Sequence, residues 1–167
     1  MRLNLHDIIA VPGKSVSFDY APDLSNAASG GAIKSIAAPA RAVGSVGNTA
    51  GVLEFWASVD VELICVCARC LKEFPYHVHR EISATLSEDV QDADNESEYY
   101  PLDGDCVDVD EIIVTDFVLN MEERLLCRED CRGLCERCGA DLSEGPCSCK
   151  TQIDPRLAAL GQLLDDK

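Results

Sequence analysis

Basic side chains are scarce in this chain: 14 Lys and Arg stand against 30 Asp and Glu, for a formal net charge of −16 over 167 residues. That shortage argues against a non-specific nucleic-acid binder, whose affinity comes from cations laid on phosphates. A basic partner suits such a chain better. The imbalance is sharpest between Glu81 and Glu123, where fifteen acidic residues occur with no Lys or Arg. A run of this kind is ordinarily a solvated surface, and its functional alternative is a docking site for a basic protein.

Long apolar runs are also missing. No stretch approaches the roughly 20 residues that cross a bilayer, and residues 1–7 hold no apolar segment of signal-peptide length. The expectation is a soluble, cytoplasmic chain with no membrane partner. Catalytic signatures are equally absent: there is no Gly-rich phosphate loop, no Gly-x-Ser-x-Gly, and no Cys/His pair with an orienting acid. Neither an enzyme nor a small-molecule substrate is expected, and a nuclease reading has no motif to stand on.

Cysteine, by contrast, is plentiful. Ten are present, and six of them, Cys127, Cys131, Cys135, Cys138, Cys147 and Cys149, fall within residues 127–149. Cys67 and Cys70 form another Cys-x-x-Cys. Two intervening residues let a tight turn aim both sulfurs at one ion about 2.3 Å away, and a glycine after the second cysteine eases the backbone there. Cys135-Glu136-Arg137-Cys138-Gly139 has that form, and the Gly145-Pro146 turn returns Cys147 and Cys149 to it. Cys135, Cys138, Cys147 and Cys149 therefore make one candidate site. Cys67 and Cys70 with Cys127 and Cys131 make a second, which would tie the C-terminal segment to a distant hairpin.

Eight thiols so spaced point to one or two structural Zn²⁺ ions. Disulfides need an oxidising compartment, iron–sulfur clusters use other spacings, and a redox Cys-x-x-Cys does not explain six cysteines close together. A site filled by four protein ligands leaves no open position for catalysis. Cys65 falls on an apolar face and reads as a core residue, while Cys106 reads as a lone thiol.

The remaining pattern is α+β: an antiparallel β-rich core with a long hairpin, one or two helices, and a C-terminal cysteine-rich zinc-binding segment. Residues 1–126 would form the core domain and residues 127–167 the cysteine-rich segment with a short final helix. Residues 3–11 and 15–20 read as strands around the Pro12-Gly13 turn. The Ala/Gly/Ser-rich stretch at 25–50 reads as a loop insertion with one short strand near 32–38. Alternation of apolar with polar residues at 52–66 and 74–86 gives the hairpin, with Cys67-Ala68-Arg69-Cys70 near its tip. On its polar face His77 and His79 read as surface residues, as does His6. Residues 87–105 read as a polar, mobile loop. Ile113, Phe117 and Met121 at four-residue spacing give a helix at about 110–125 leading into Cys127, and Asp154-Pro155 opens the final helix with Leu157, Leu160 and Leu164 as its stripe.

These motifs together resemble the YceD family of bacterial and plastid proteins, named for large ribosomal RNA subunit accumulation. The resemblance rests on the opening strand with Pro12-Gly13 after it, Asp23-Leu24-Ser25, Cys67-Ala68-Arg69-Cys70-Leu71 and the helix before Cys127. It continues through Cys131-Arg132-Gly133-Leu134-Cys135, Cys138-Gly139, Asp141-Leu142, Cys147-x-Cys149 and Asp154-Pro155-Arg156-Leu157. Residues 27–50 depart from it. The resemblance implies a non-enzymatic role in accumulation or processing of 23S ribosomal RNA and in ribosome assembly, and it supplies no catalytic residues. Some relatives lack the C-terminal cysteines, which implies that this cluster is a stability device.

The partner is then expected to be a basic large-subunit ribosomal protein held on the acidic surface. The competing expectation is direct contact with large-subunit rRNA or a pre-ribosome through Arg69, Lys72, Arg128, Arg132 and Arg137, a patch diluted by Glu129, Asp130 and Glu136. An acidic zinc-stapled interaction module unrelated to ribosomes is the remaining reading.

Overall fold

The computed structural model describes residues 1–25, 27, 31–87, 99–122 and 124–149. Its elements run β1 (Arg2–Asn4), α1 (His6–Ile9), β2 (Ser15–Tyr20), β3 (Ile33–Ile36), β4 (Arg41–Thr49), β5 (Val52–Val66), β6 (Glu73–Ser87), β7 (Tyr99–Pro101), β8 (Cys106–Asp108) and α2 (Val109–Asn120). The architecture is α+β, mostly antiparallel sheet with two helices.

Strand β5 is the spine. Its odd-numbered residues from Leu53 to Cys65 are all buried, while Glu54, Trp56 and Glu62 between them are exposed. This is the period-2 pattern of a strand with one face in the core and one in water. β5 pairs antiparallel with β6 in unbroken register from Leu53↔Leu86 to Val66↔Glu73, so the expected hairpin is present. Its other edge is shared: β4 runs along Val52 to Asp60 and β3 along Leu63 to Cys65. β2 adds beyond β4, and β7 adds in parallel to the end of β6. β1 and β8 form a separate two-stranded sheet.

The helices close the buried face. Ile112, Ile113 and Phe117 of α2 are buried three, four and eight residues after the buried Val109, the stripe of a helix lying on a core. Asp108 caps the helix, its carboxylate accepting the Asp110 N–H at 3.1 Å, and Asp110 and Glu111 sit where the helix dipole favours negative charge. Leu5 and Ile8 from the α1 region join the same core. Arg80 of β6 reaches Asp116 of α2 at 3.3 Å across the sheet–helix seam.

Several expectations are corrected. Residues 3–11 do not form one strand: β1 ends at Asn4 and a four-residue helix follows, because Leu5 and Ile8, three apart, must both enter the core. The Asn4 side chain accepts the His6 N–H at 2.9 Å and starts that turn. Residues 25–50 are no simple loop, since β4 is a nine-residue strand. At Gly44 its inner face has no space for a side chain: a Cβ there would lie 2.3 Å from the Trp56 carbonyl oxygen and 2.6 Å from the Phe18 ring. Within residues 87–105, Tyr99–Pro101 is a strand, and residues 88–98 lie outside the described residues. α2 stops at Asn120 rather than near residue 125. The expected final helix after Asp154-Pro155 lies outside the described residues.

His77 and His79 are exposed and both face Asp60, at 3.5 and 2.8 Å. His6 is exposed against Asp105. Cys65 is fully buried in the core, and Cys106 is half-buried in β8 apart from the other thiols. Among the described residues, no helix is long and apolar enough to cross a membrane.

Candidate metal centres

The β5–β6 turn carries the first pair of thiols. The Leu71 N–H donates to the Cys67 carbonyl at 3.0 Å and the Cys67 N–H to the Lys72 carbonyl at 2.9 Å, folding the Cys-x-x-Cys into a knuckle. Residues 135–140 repeat the pattern. The Gly139 N–H donates to Cys135 at 2.8 Å and the Cys135 N–H to Ala140 at 2.8 Å. Both knuckles need a left-handed residue after the second cysteine; Gly139 takes it at φ 70°, whereas Leu71 takes it at φ 58°. A side chain in that conformation is strained by roughly 1 kcal/mol. Leu71 is not a residue that sequence reasoning would assign to this position.

The structure brings the sulfurs of Cys67, Cys70, Cys127 and Cys131 within 4.8 Å of one another, and separately those of Cys135, Cys138, Cys147 and Cys149. In the first group the Cys67–Cys131 and Cys70–Cys127 sulfur separations are 3.8 and 3.6 Å. A tetrahedron whose corners lie about 2.3 Å from its centre has edges of about 3.8 Å, so the spacing fits one ion. No disulfide links any of them. Each group could hold a metal ion.

Electrostatics favour the same chemistry. Burial works against ionisation of Cys67, but N–H groups of Cys127, Cys70 and Arg69 turned on its sulfur bring its thiol down to about 6. Burial and the neighbouring sulfurs push Cys127 up to about 12. In the second group the N–H groups of Cys138 and Arg137 bring Cys135 down to about 6, while the Cys138 thiol and burial push Cys149 up to about 12. One thiolate is welcome in each group and the last is resisted. A divalent cation is what lets four ionise together.

The two groups differ in environment. Cys67, Cys70 and Cys131 are buried and pack with Phe74, Leu126 and Leu134, whereas Cys138 is exposed and its three companions are half-buried. The C-terminal segment is laced to the hairpin tip by its backbone: the Ala68 N–H donates to Leu125 at 2.9 Å and the Leu134 N–H to Arg69 at 3.2 Å. The Arg69 guanidinium in turn donates to the Cys131 carbonyl at 2.7 Å.

Charged contacts extend this lacing. Lys72 pairs with Asp141 at 2.8 Å and Glu144 at 2.7 Å. These carboxylates hold the Lys72 pKa up, and the Lys72 ammonium with the Ser143 N–H holds Asp141 down. Four of the five cations that the sequence offers for RNA contact thus have partners, whereas Arg132 is exposed and engages Ser143 through its backbone N–H. Arg69 and Lys72 hold the segment together, Arg128 lies 3.4 Å from Asp130, and Arg137 also has interaction partners.

Comparison with known proteins bears on the same residues. Residues 55–164 match the family described as Large ribosomal RNA subunit accumulation protein YceD, a span containing all eight clustered cysteines. Uncharacterised proteins of Mycobacterium tuberculosis and Mycobacterium bovis are each 32% identical over 101 residues, covering 59% of this chain and 49% of theirs. The chain thus spans about half the length of these curated relatives. The uncharacterised protein YlbN of Bacillus subtilis is 24% identical over 172 residues, covering 98% of this chain and 96% of its own. No solved structure matches. With more than half its length in that match, both cysteine groups included, the chain belongs to the YceD family.

Proposed function

We propose that this chain is a non-enzymatic factor for accumulation of 23S ribosomal RNA, acting on large-subunit assembly by binding a basic ribosomal protein. In this reading each four-cysteine group holds a structural Zn²⁺, and residues 127–149 form a zinc-stapled segment clamped to the core of residues 1–126. The factor works in the cytoplasm.

The observation that carries the choice of partner is the pairing of cations around the metal centres. Arg69, Lys72 and Arg128 are already held by a carbonyl or by carboxylates. With these three engaged, the patch offers phosphates less positive charge than its composition suggests, while the chain as a whole carries −16 and each four-thiolate zinc adds more negative charge. Four protein ligands per ion also leave no open position for hydrolytic chemistry.

The test mixes the zinc-loaded chain with purified large-subunit ribosomal proteins, and separately with 23S RNA fragments, over a series of salt concentrations. Salt-sensitive retention of one or a few ribosomal proteins, with no retention of RNA, is the expected result. Retention of RNA that is lost in Arg128→Ala with Arg132→Ala would replace this reading with direct RNA contact. Retention of neither would leave an acidic zinc-stapled interaction module unconnected to the ribosome.

A further inference from the structure

The outer face of the large sheet holds half of the chain's exposed large apolar side chains among the described residues. Val43, Val52, Trp56 and Tyr99 are 38%, 48%, 46% and 37% exposed. The register places them together. Trp56 lies between Ser45 of β4 and Ser83 of β6, Val43 lies opposite Ser58, and Tyr99 lies beside Thr85. Because paired residues share a face and alternate residues along a strand do too, all four project away from the side covered by α1 and α2.

Trp56 is the chain's one tryptophan, and serines flank it on both neighbouring strands. The side chains directly opposite it are small, and the residue is 46% exposed. Folding gains little from an indole held half in water, whereas tryptophan is a preferred anchor of binding surfaces.

The charge around this ring is of one sign. Glu54 stands two residues away along β5, about 7 Å by strand rise, and Glu81 lies opposite Ser58 on the next strand. Among the described residues neither is in an ion pair, and Glu54 accepts only the Thr49 hydroxyl, at 2.8 Å. The basic and imidazole side chains on the same face already have carboxylate neighbours. Arg41 is held by Asp19 at 2.8 Å, and His79 and His77 face Asp60. An aromatic ring with unpaired carboxylates on two sides is complementary to a guanidinium or ammonium, and it opposes phosphate.

We propose that this sheet face, centred on Trp56, is the docking surface for an Arg- and Lys-rich protein segment, whose cations stack on the indole and pair with Glu54 and Glu81. The inference rests on the reading that the partner is a basic protein and assigns that partner a place on this chain.

The experiment uses the full, zinc-loaded chain and a fluorescently labelled synthetic 15-residue peptide of alternating Arg, Lys and Ser, followed by anisotropy, with Trp56 emission read in parallel. Saturable binding that falls with salt and changes Trp56 emission is expected. Trp56→Ala, and separately the pair Glu54→Gln with Glu81→Gln, should each weaken binding at least about fivefold. Glu111→Gln, on α2, should leave it unchanged. Equal melting and zinc content of the variants confirms that folding is intact; Trp56→Phe, which keeps an aromatic face, covers the case in which alanine unfolds the sheet and should retain part of the affinity. Undiminished peptide binding in the Trp56 and Glu54/Glu81 variants would overturn this site while leaving a basic partner possible elsewhere on the surface. Failure of the wild-type chain to bind either the peptide or large-subunit ribosomal proteins would overturn both, and a Trp56 emission change with single-stranded RNA alone would replace the basic segment with RNA.

Discussion

The backbone of Gly133 lies so close to Arg69 that a Cβ there would sit 2.9 Å from the Arg69 carbonyl oxygen and 3.2 Å from its side chain. That same carbonyl accepts the Leu134 N–H, so the point where the C-terminal segment meets the hairpin tip has no space for a methyl group. Gly133 is also at φ 76°, a conformation that L side chains rarely adopt. Gly133→Ala should therefore destabilise the chain by about 2–3 kcal/mol and loosen Cys131 from Cys67. Thermal melting with metal content measured on the same samples checks this. Unchanged melting and full metal content would show that the segment is not clamped there.

Metal stoichiometry provides the second prediction. The purified chain should carry two Zn²⁺, and Cys67→Ser or Cys135→Ser should each lower this toward one. Cys65→Ser and Cys106→Ser should leave it at two, because neither thiol belongs to a group. Metal-binding energy is folding energy in such modules, so a strong chelator should melt residues 127–149 before the sheet. Elemental analysis and amide hydrogen exchange report the two effects separately. Zinc loss in Cys106→Ser with retention in Cys135→Ser would refute the assignment.

Asn48 offers a test within the core. It is 3% exposed, its amide donates to the Ile8 and Ile9 carbonyls at 2.8 Å each, and its oxygen accepts the Gly51 N–H at 2.8 Å. One side chain thus joins α1 to the β4–β5 turn. Asn48→Leu removes three hydrogen bonds at a buried position and should destabilise by about 2–3 kcal/mol, read as a lower urea midpoint at unchanged slope. A loss below 0.5 kcal/mol, on the scale of an ordinary surface substitution, would contradict this role.

The His6–Asp105 contact predicts a pH effect. A hydrogen bond to the Asp105 carboxylate, with the charges of Asp105 and Asp7, raises the His6 pKa above its ordinary 6.5. A folded value above the unfolded one means the stabilisation is fully present below pH 6.5 and is lost as pH rises through the folded value. An NMR titration of the His6 ring should show the raised midpoint in the wild type and a return toward the ordinary value in Asp105→Asn. Identical midpoints would show that the contact is absent in solution.

The sequence made the hairpin legible because the seven odd-numbered positions of β5 from Leu53 to Cys65 are all apolar, with Glu54, Ser58, Asp60 and Glu62 between them, the period of a half-buried strand. α2 was legible from Ile113 and Phe117, but its end was not: Leu125 is buried through a loop whose carbonyl meets Ala68, and an apolar residue in phase looks the same whether a helix or a loop delivers it. β4 was hidden by its own packing. Ala42, Gly44 and Val46 alternate inward as strand residues do, but the closeness of the Phe18 ring and the Trp56 carbonyl leaves Gly44 no room for a side chain, and a stretch rich in Gly and Ala reads as loop. At the candidate centres the Cys-x-x-Cys spacing is local and visible. The contacts that join distant segments, Arg69 to Cys131 and Lys72 to Asp141, carry no local signal, and neither does the left-handed Leu71.

Large-subunit RNA accumulation is the claim on which the account turns, and the ratio of 23S to 16S RNA in cells depleted of this protein, with precursor ends mapped, tests it most directly. The account predicts a selective fall in 23S RNA, restored by the wild-type chain and not by Cys67→Ser. An unchanged ratio in depleted cells would contradict it.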